Sequence, residues 1–253
     1  MIIKNKIKLL HILLALLAIA IVLFINRTKV KIFFGKNFPW VVNIMRREGT
    51  VGGVIAEYGE PAKKRILPYF QKASVNYPPD SLILLVIKKD RELQVYAANK
   101  DKTPVFIKSY PLRASSGKLG PKLYEGDFQI PEGIYKITSL NPNSRYHLSM
   151  RINYPNNFDL EKAKADGRDN PGRDIFIHGK AASIGCVSIG DEPIEELFVL
   201  SENTGLDKTK VVICPVDFRK EQIPEEIKAQ LPNWIDQLYG KLRSEIGTFP
   251  LNK

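Results

Sequence analysis

From Leu82 onward the chain is written in short apolar runs separated by turn residues, a texture that leaves little room for anything but sheet. Leu82–Ile87 is an aliphatic run, Lys88-Lys89-Asp90-Arg91 a charged turn, and Leu93-Gln94-Val95-Tyr96 a second run. Runs this short and this rich in β-branched residues cannot complete an amphipathic helix, whereas they fill a strand. Val105-Phe106-Ile107, continuing toward Tyr110, reads as a third strand. Arg113–Lys122 is a loop, with glycines and a proline at turn positions. Glu125–Ile137 is expected to hold a short strand, a turn at Pro131-Glu132-Gly133 and another strand. Tyr146–Tyr154 predicts a strand ending at Pro155, Phe158–Gly167 a short surface helix, and Asp169-Asn170-Pro171-Gly172 a turn. Asp174–Ile177 and Lys210–Cys214 complete the strands, and Pro193–Leu200 has helical spacing with acidic residues at its start. The expected fold is mainly β with peripheral helices, a sandwich or barrel.

The flanks differ in kind. Lys4, Lys6 and Lys8 precede an apolar segment from Leu9 to Ile25 broken only by His11. No face of it is polar, and Arg27-Thr28-Lys29 makes a poor cleavage site. Residues 1–26 therefore read as an uncleaved signal anchor, one N-terminal transmembrane helix, with a cleaved export signal as the alternative. Residues 27–79 form a basic connecting module. In it Gly49, Gly52 and Gly53 mark a turn, and Glu60–Ala73 has the spacing of an amphipathic helix interrupted by Pro68. That helix is expected to pack on the following domain. Residues 217–253 read as two short helices around Pro232, with Trp234, Ile235, Leu238 and Tyr239 facing inward.

Charge places the protein's partners. The net charge is +11, but residues 1–79 hold 13 Lys/Arg against 3 Asp/Glu, leaving 25 against 24 for residues 80–253. A near-neutral domain behind a basic N-terminal segment suits an anionic membrane surface and excludes a nucleic-acid groove. The two cysteines, Cys186 and Cys214, are too few for a disulfide scaffold and have no metal-site spacing, so no metal and no cofactor are expected.

The chemistry concentrates between Asp174 and Asp191. An apolar run delivers His178, a loop of small residues follows, and Cys186 sits between Gly185 and Val187. Thiol and imidazole together suffice for nucleophilic acyl transfer. Glycines beside both residues permit tight turns and close substrate approach. The helix expected shortly after Cys186 would favour thiolate through its dipole. Cys214, in an apolar run, is expected in the core.

His178-Gly179 followed by Ser183-Ile184-Gly185-Cys186 resembles the L,D-transpeptidase catalytic domain, or YkuD domain. The eight-residue spacing and the Ser-Ile-Gly-Cys form are similar to its YafK-like branch. The same resemblance extends to Ser115-Ser116-Gly117, Gly120-Pro121-Lys122, Glu125-Gly126-Asp127, Pro131–Tyr135, Asn141–Ser144 and Tyr154-Pro155-Asn156, roughly residues 80–216. The commoner family pattern has His and Arg where this chain has Ile184 and Ser188. The resemblance implies a YkuD-type β fold acting on peptidoglycan stem peptides outside the cytoplasm, with residues 80–216 as the catalytic domain. Cys186 would be the nucleophile, His178 the general base and acid, and backbone N–H groups at Gly185 and Cys186 the oxyanion hole. The acyl group would pass to an amine of a second stem peptide or a wall-attached protein, or to water. His147, Arg113, Ser183 and Gly179 are candidates for substrate binding, and a structural role is the simpler expectation for His147. Arg113, Lys122 and Arg151 could face an acidic stem peptide, with plain surface exposure simpler for each. Asp174 could orient a nearby cation or serve only as a strand-entry turn.

Overall fold

A computed structural model describes residues 49–251; the predicted anchor and residues 27–48 of the basic module lie outside the described residues. Eight strands form one curled sheet: β1 Ser81–Ile87, β2 Glu92–Ala98, β3 Val105–Pro111, β4 Gly133–Asn141, β5 Ser149–Ile152, β6 Phe176–His178, β7 Val187–Ser188 and β8 Thr209–Cys214, in the order β3-β2-β1-β8-β4-β5-β6-β7. Five α-helices accompany them among the described residues, α1 Val51–Lys72, α2 Asn157–Ala165, α3 Asp191–Thr204, α4 Glu225–Lys228 and α5 Ile235–Ile246, with a 3-10 turn at Leu206–Lys208.

The central strands explain their own composition. β1 pairs in parallel with β8 and antiparallel with β2, and both its faces are covered. Leu82, Leu84 and Val86 enter one hydrophobic cluster, with Ile66 and Phe70 of α1 and Leu197 and Phe198 of α3. Ile83, Leu85 and Ile87 point the other way, into a second cluster with Leu238, Tyr239 and Leu242 of α5 and with Cys214. A strand buried on both faces has no polar alternation to show, hence the unbroken aliphatic run.

β4 changes partners midway: Gly133–Lys136 pairs with β8, and Ile137–Asn141 pairs with β5, with a register shift between Ile137 and Ser139. That bulge lets the sheet curl. The outer edges meet where Ala114, just past β3, bridges Ser188 of β7. The sandwich-or-barrel expectation thus becomes a mainly β curled sheet, with helices on both faces of its central strands.

Three local expectations are corrected. Glu125–Ile130 is loop, because side chains take the place of a ladder partner: the Asp127 carboxylate accepts from Leu123, Tyr124 and Gln129 N–H groups, and the Gln129 amide oxygen accepts from Lys118 N. The connecting helix begins at Val51, not near Glu60, so Gly52 and Gly53 lie in its first turn, where the Thr50 side chain caps Gly53 N–H at 3.0 Å. It runs through Pro61 and Pro68, and both prolines, with Glu57 and Lys64 one turn earlier, are exposed, so water can satisfy the carbonyls that lose a donor. Val54, Ala62, Ile66 and Phe70 are buried. Arg65 then locks α1 to α3, donating to Glu195 at 2.7 Å and to Glu196 at 2.9 Å, and the buried Glu196 also accepts from Lys108 and Tyr110. No helix among the described residues is long and apolar enough to cross a membrane.

Candidate active site

β6 and β7 run in parallel, with His178 in register with Ser188. Cys186 lies two residues before Ser188, at the entry to β7, so His178 and Cys186 stand at the ends of two adjacent paired strands.

The imidazole is oriented by the backbone. His178 Nδ1 lies 2.6 Å from the Gly179 carbonyl. A carbonyl only accepts, so Nδ1 carries the proton and the neutral ring keeps its Nε2 lone pair free for base chemistry. Among the described residues Nε2 has no hydrogen-bond partner. Burial lowers the His178 pKa from the usual histidine range, with the Gly179 bond pulling weakly the other way. Gly179 is glycine for space: a Cβ there would lie 2.6 Å from Asp191 Oδ1 and 2.7 Å from the Tyr146 carbonyl.

Cys186 is partly exposed, its thiol 3.9 Å from the Asp174 carbonyl. Burial raises its pKa; the Phe176 N–H and the Lys122 charge offset this in part, and Asp174 adds to the rise. The helix-dipole expectation is therefore corrected. β7 stands between Cys186 and α3, and the net shift favours thiol, not thiolate. With base shifted down and thiol shifted up, the neutral pair dominates at pH 7, which is the state a general-base mechanism starts from. Alkylation of Cys186 by iodoacetamide should accordingly climb about tenfold per pH unit between pH 7 and 8.5, as the thiolate fraction rises. A rate already flat across that window would mean a preformed thiolate–imidazolium pair. Cys214, buried in the second cluster with its pKa strongly raised by burial, should stay unmodified in the folded protein.

The loop between the two residues is cross-braced. Ser183 Oγ donates to the Cys186 carbonyl at 2.7 Å, receives Gly185 N–H at 3.3 Å, and lies 3.1 Å from Ser116 Oγ. Gly185 takes φ +120°, and a Cβ there would stand 3.1 Å from the Gln129 carbonyl. The N–H assigned to an oxyanion hole therefore points at Ser183 in this structure. Ser188, buried, donates to the Lys180 carbonyl at 2.7 Å and closes the loop, while Ile184 is 72% exposed.

The remaining candidates divide. Arg113 bonds Ser188 O through its backbone N–H at 2.8 Å, and its exposed side chain lies against Gly190, at the start of α3. His147 turns away: its Nε2 sits 2.9 Å from Glu195 Oε1 and its ring stands edge-on to Tyr58. Arg151 pairs with Asp174 at 2.8 Å, so Asp174 does orient a cation beside the thiol. Lys122 is a correction: it is buried, donating to Asp127 at 2.6 Å and to the Tyr124 carbonyl at 2.8 Å. Burial opposes ionisation of Asp127, but Lys122 and three backbone N–H groups outweigh it and hold that carboxyl below its usual range. Sequence reading missed Tyr146, whose ring stacks on His178 with centroids 4.5 Å apart.

A histidine and a cysteine thus stand on adjacent strand ends of a curled β sheet, joined by a tight glycine-flanked loop. The family model of the L,D-transpeptidase catalytic domain matches residues 81–213, and the chain belongs to that YkuD family, which acts on peptidoglycan peptides. YafK of Escherichia coli strain K12, itself named only as a candidate L,D-transpeptidase, is 36% identical over 115 residues, 45% of this chain and 44% of that protein. The chain thus matches less than half the length of that relative. Among solved structures, the helical cell shape determining protein Pgp2 of Campylobacter jejuni shares 24% identity at a TM-score of 0.45, covering 66% of this chain and 59% of that one. L,D-transpeptidase 1 of Mycobacterium tuberculosis shares 14% at a TM-score of 0.30, covering 53% and 62%.

Proposed function

We propose that the protein is an exported cysteine enzyme, held at the membrane by residues 1–26, that transfers acyl groups of peptidoglycan stem peptides through a thioester on Cys186. The observation carrying this reading is the 2.6 Å contact of His178 Nδ1 with Gly179 O, which fixes the tautomer that leaves Nε2 as the base, on the strand paired with the one Cys186 leads into. Nε2 takes the thiol proton as Sγ bonds to the peptide carbonyl carbon. The tetrahedral adduct collapses with cleavage of the C–N bond, and His178 returns the proton to the departing amine. The acceptor then attacks the thioester while His178 takes its proton, and the thiol is released. Rotation of the Ser183 hydroxyl away from Gly185 N–H would free that donor for the oxyanion. Arg113, with no ion-pair partner among the described residues, is the cation placed to meet a stem-peptide carboxylate.

A second reading, hydrolysis that trims the stem peptide or releases a wall-attached protein, draws on two positions. Ile184 is exposed and apolar, and Ser188 is buried and spent on Lys180 O, where the commoner pattern offers His and Arg to an acceptor. Mass spectrometry of defined peptidoglycan treated with the full chain separates these readings. New cross-links indicate transfer; trimmed or protein-free muropeptides indicate water. Products identical to those of Cys186→Ala would leave only a non-catalytic peptidoglycan-binding module.

A further inference from the structure

We propose that Tyr146 is a positioning residue for the His178 base, held in place by a left-handed turn at His147 that anchors the segment to α1 and α3. The inference rests on His178 acting as the base and adds the residue that fixes its ring.

The imidazole has one hydrogen bond, from Nδ1 to its own neighbour's carbonyl. That bond sets the tautomer but leaves the ring free to tilt about it. Tyr146 removes this freedom: its ring lies over the imidazole at 4.5 Å with an interplanar angle of 33°. A stacked face restricts the tilt and excludes water from one side.

Residues 145–148 grip residues 178–180 along their length. Gly179 N–H donates to the Leu148 carbonyl at 3.2 Å, and Lys180 Nζ donates to the Arg145 carbonyl at 2.6 Å. Ser149 pairs in register with His178. His147 takes φ +71°, a conformation costly for a residue with a side chain, and the reversal sends consecutive side chains in opposite directions. Tyr146 goes to His178, and His147 goes to Glu195 of α3 and Tyr58 of α1. The histidine that sequence suggested for substrate contact instead anchors the residue stacked on the base. Tyr146 is 39% exposed, so it adds little to the core, and a purely structural account leaves its stacking unexplained.

The test is histidine titration by NMR on the ¹³C-histidine-labelled full chain in detergent, with His178 assigned through His178→Gln, together with the rate of Cys186 acylation by a carbapenem at neutral pH. The titratable groups beside the ring are Tyr146, stacked on it, and Lys180 and Asp191, whose carboxylate accepts from Lys180 N–H. Tyr146→Phe keeps the ring and should reproduce wild type in both readouts. Tyr146→Ala and Tyr146→Leu should move the His178 midpoint up toward the free-histidine value of about 6.5 and slow Cys186 acylation by a carbapenem about tenfold, with the thermal midpoint little changed. Unchanged midpoint and rate in both Ala and Leu variants, with His178→Gln slow, overturns the positioning role alone. A His178→Gln variant as fast as wild type overturns the base assignment and this role with it.

Discussion

Glu132→Ala should lower the stability of the protein by about 3–5 kcal/mol, the cost of leaving one partner of a buried ion pair uncompensated. Glu132 is 1% exposed, in what sequence reading takes for a plain Pro-Glu-Gly turn. Its carboxylate accepts from Lys88 Nζ at 2.9 Å, Gly120 N–H at 2.7 Å and Tyr239 Oη at 2.9 Å. Lys88 also donates to the Gly120 and Ile130 carbonyls. One carboxylate thus ties the β1–β2 turn, the loop that abuts Gly185, and helix α5. Urea denaturation of the full chain measures the loss. The double variant Glu132→Leu/Lys88→Met should recover only the part due to the unpaired charge, since Gly120 N–H, Tyr239 Oη and the Gly120 and Ile130 carbonyls still lose a partner. A single variant within about 1 kcal/mol of wild type would show that the pair is not what holds these three segments.

His178→Ala should slow acylation of Cys186 by about 10²–10⁴-fold, the usual contribution of a positioned general base. The size follows from the resting state. The thiol sits above its usual range and the imidazole below, so the thiol must be deprotonated at the moment of attack. The dependence on pH has a sign. Raising pH supplies thiolate without the base, so the His178→Ala defect should shrink steadily as pH rises toward 9. A defect that stays constant with pH would give His178 a structural role only. Stopped reactions with a carbapenem, followed by mass, measure both rates.

Much of the fold was legible because its causes are local. The β1 run, the charged turn and β2 are written in consecutive residues, as is the capping box that starts α2, where Asn156 and Asp159 satisfy each other's N–H groups. The thiol and imidazole were legible for the same reason: both strand ends and the loop between them occupy one short stretch. What sequence hid is made of contacts between distant residues. Lys88 stands in a charged turn and reads as solvated, yet its partner lies 44 residues on. Lys122 looks exposed until Asp127 folds back on it. Tyr146 belongs to a segment read as plain strand, and its meaning appears only when β5 pairs with β6. Gly52 and Gly53 read as breakers because the Thr50 cap offsets a weak first turn. The Asp217–Arg219 pair, closed over Gln94 and Tyr96, likewise binds the C-terminal segment to β2 in a way no local pattern announces.

The central claim is that Cys186 carries the acyl group. Intact-mass spectrometry of the full chain, incubated with tetrapeptide stems or a carbapenem and quenched in acid, reads it directly. The account predicts a covalent adduct that maps to Cys186, is absent from Cys186→Ala and accumulates far more slowly on His178→Ala. An unmodified wild-type mass with either reagent, or an adduct that persists in Cys186→Ala, would contradict it.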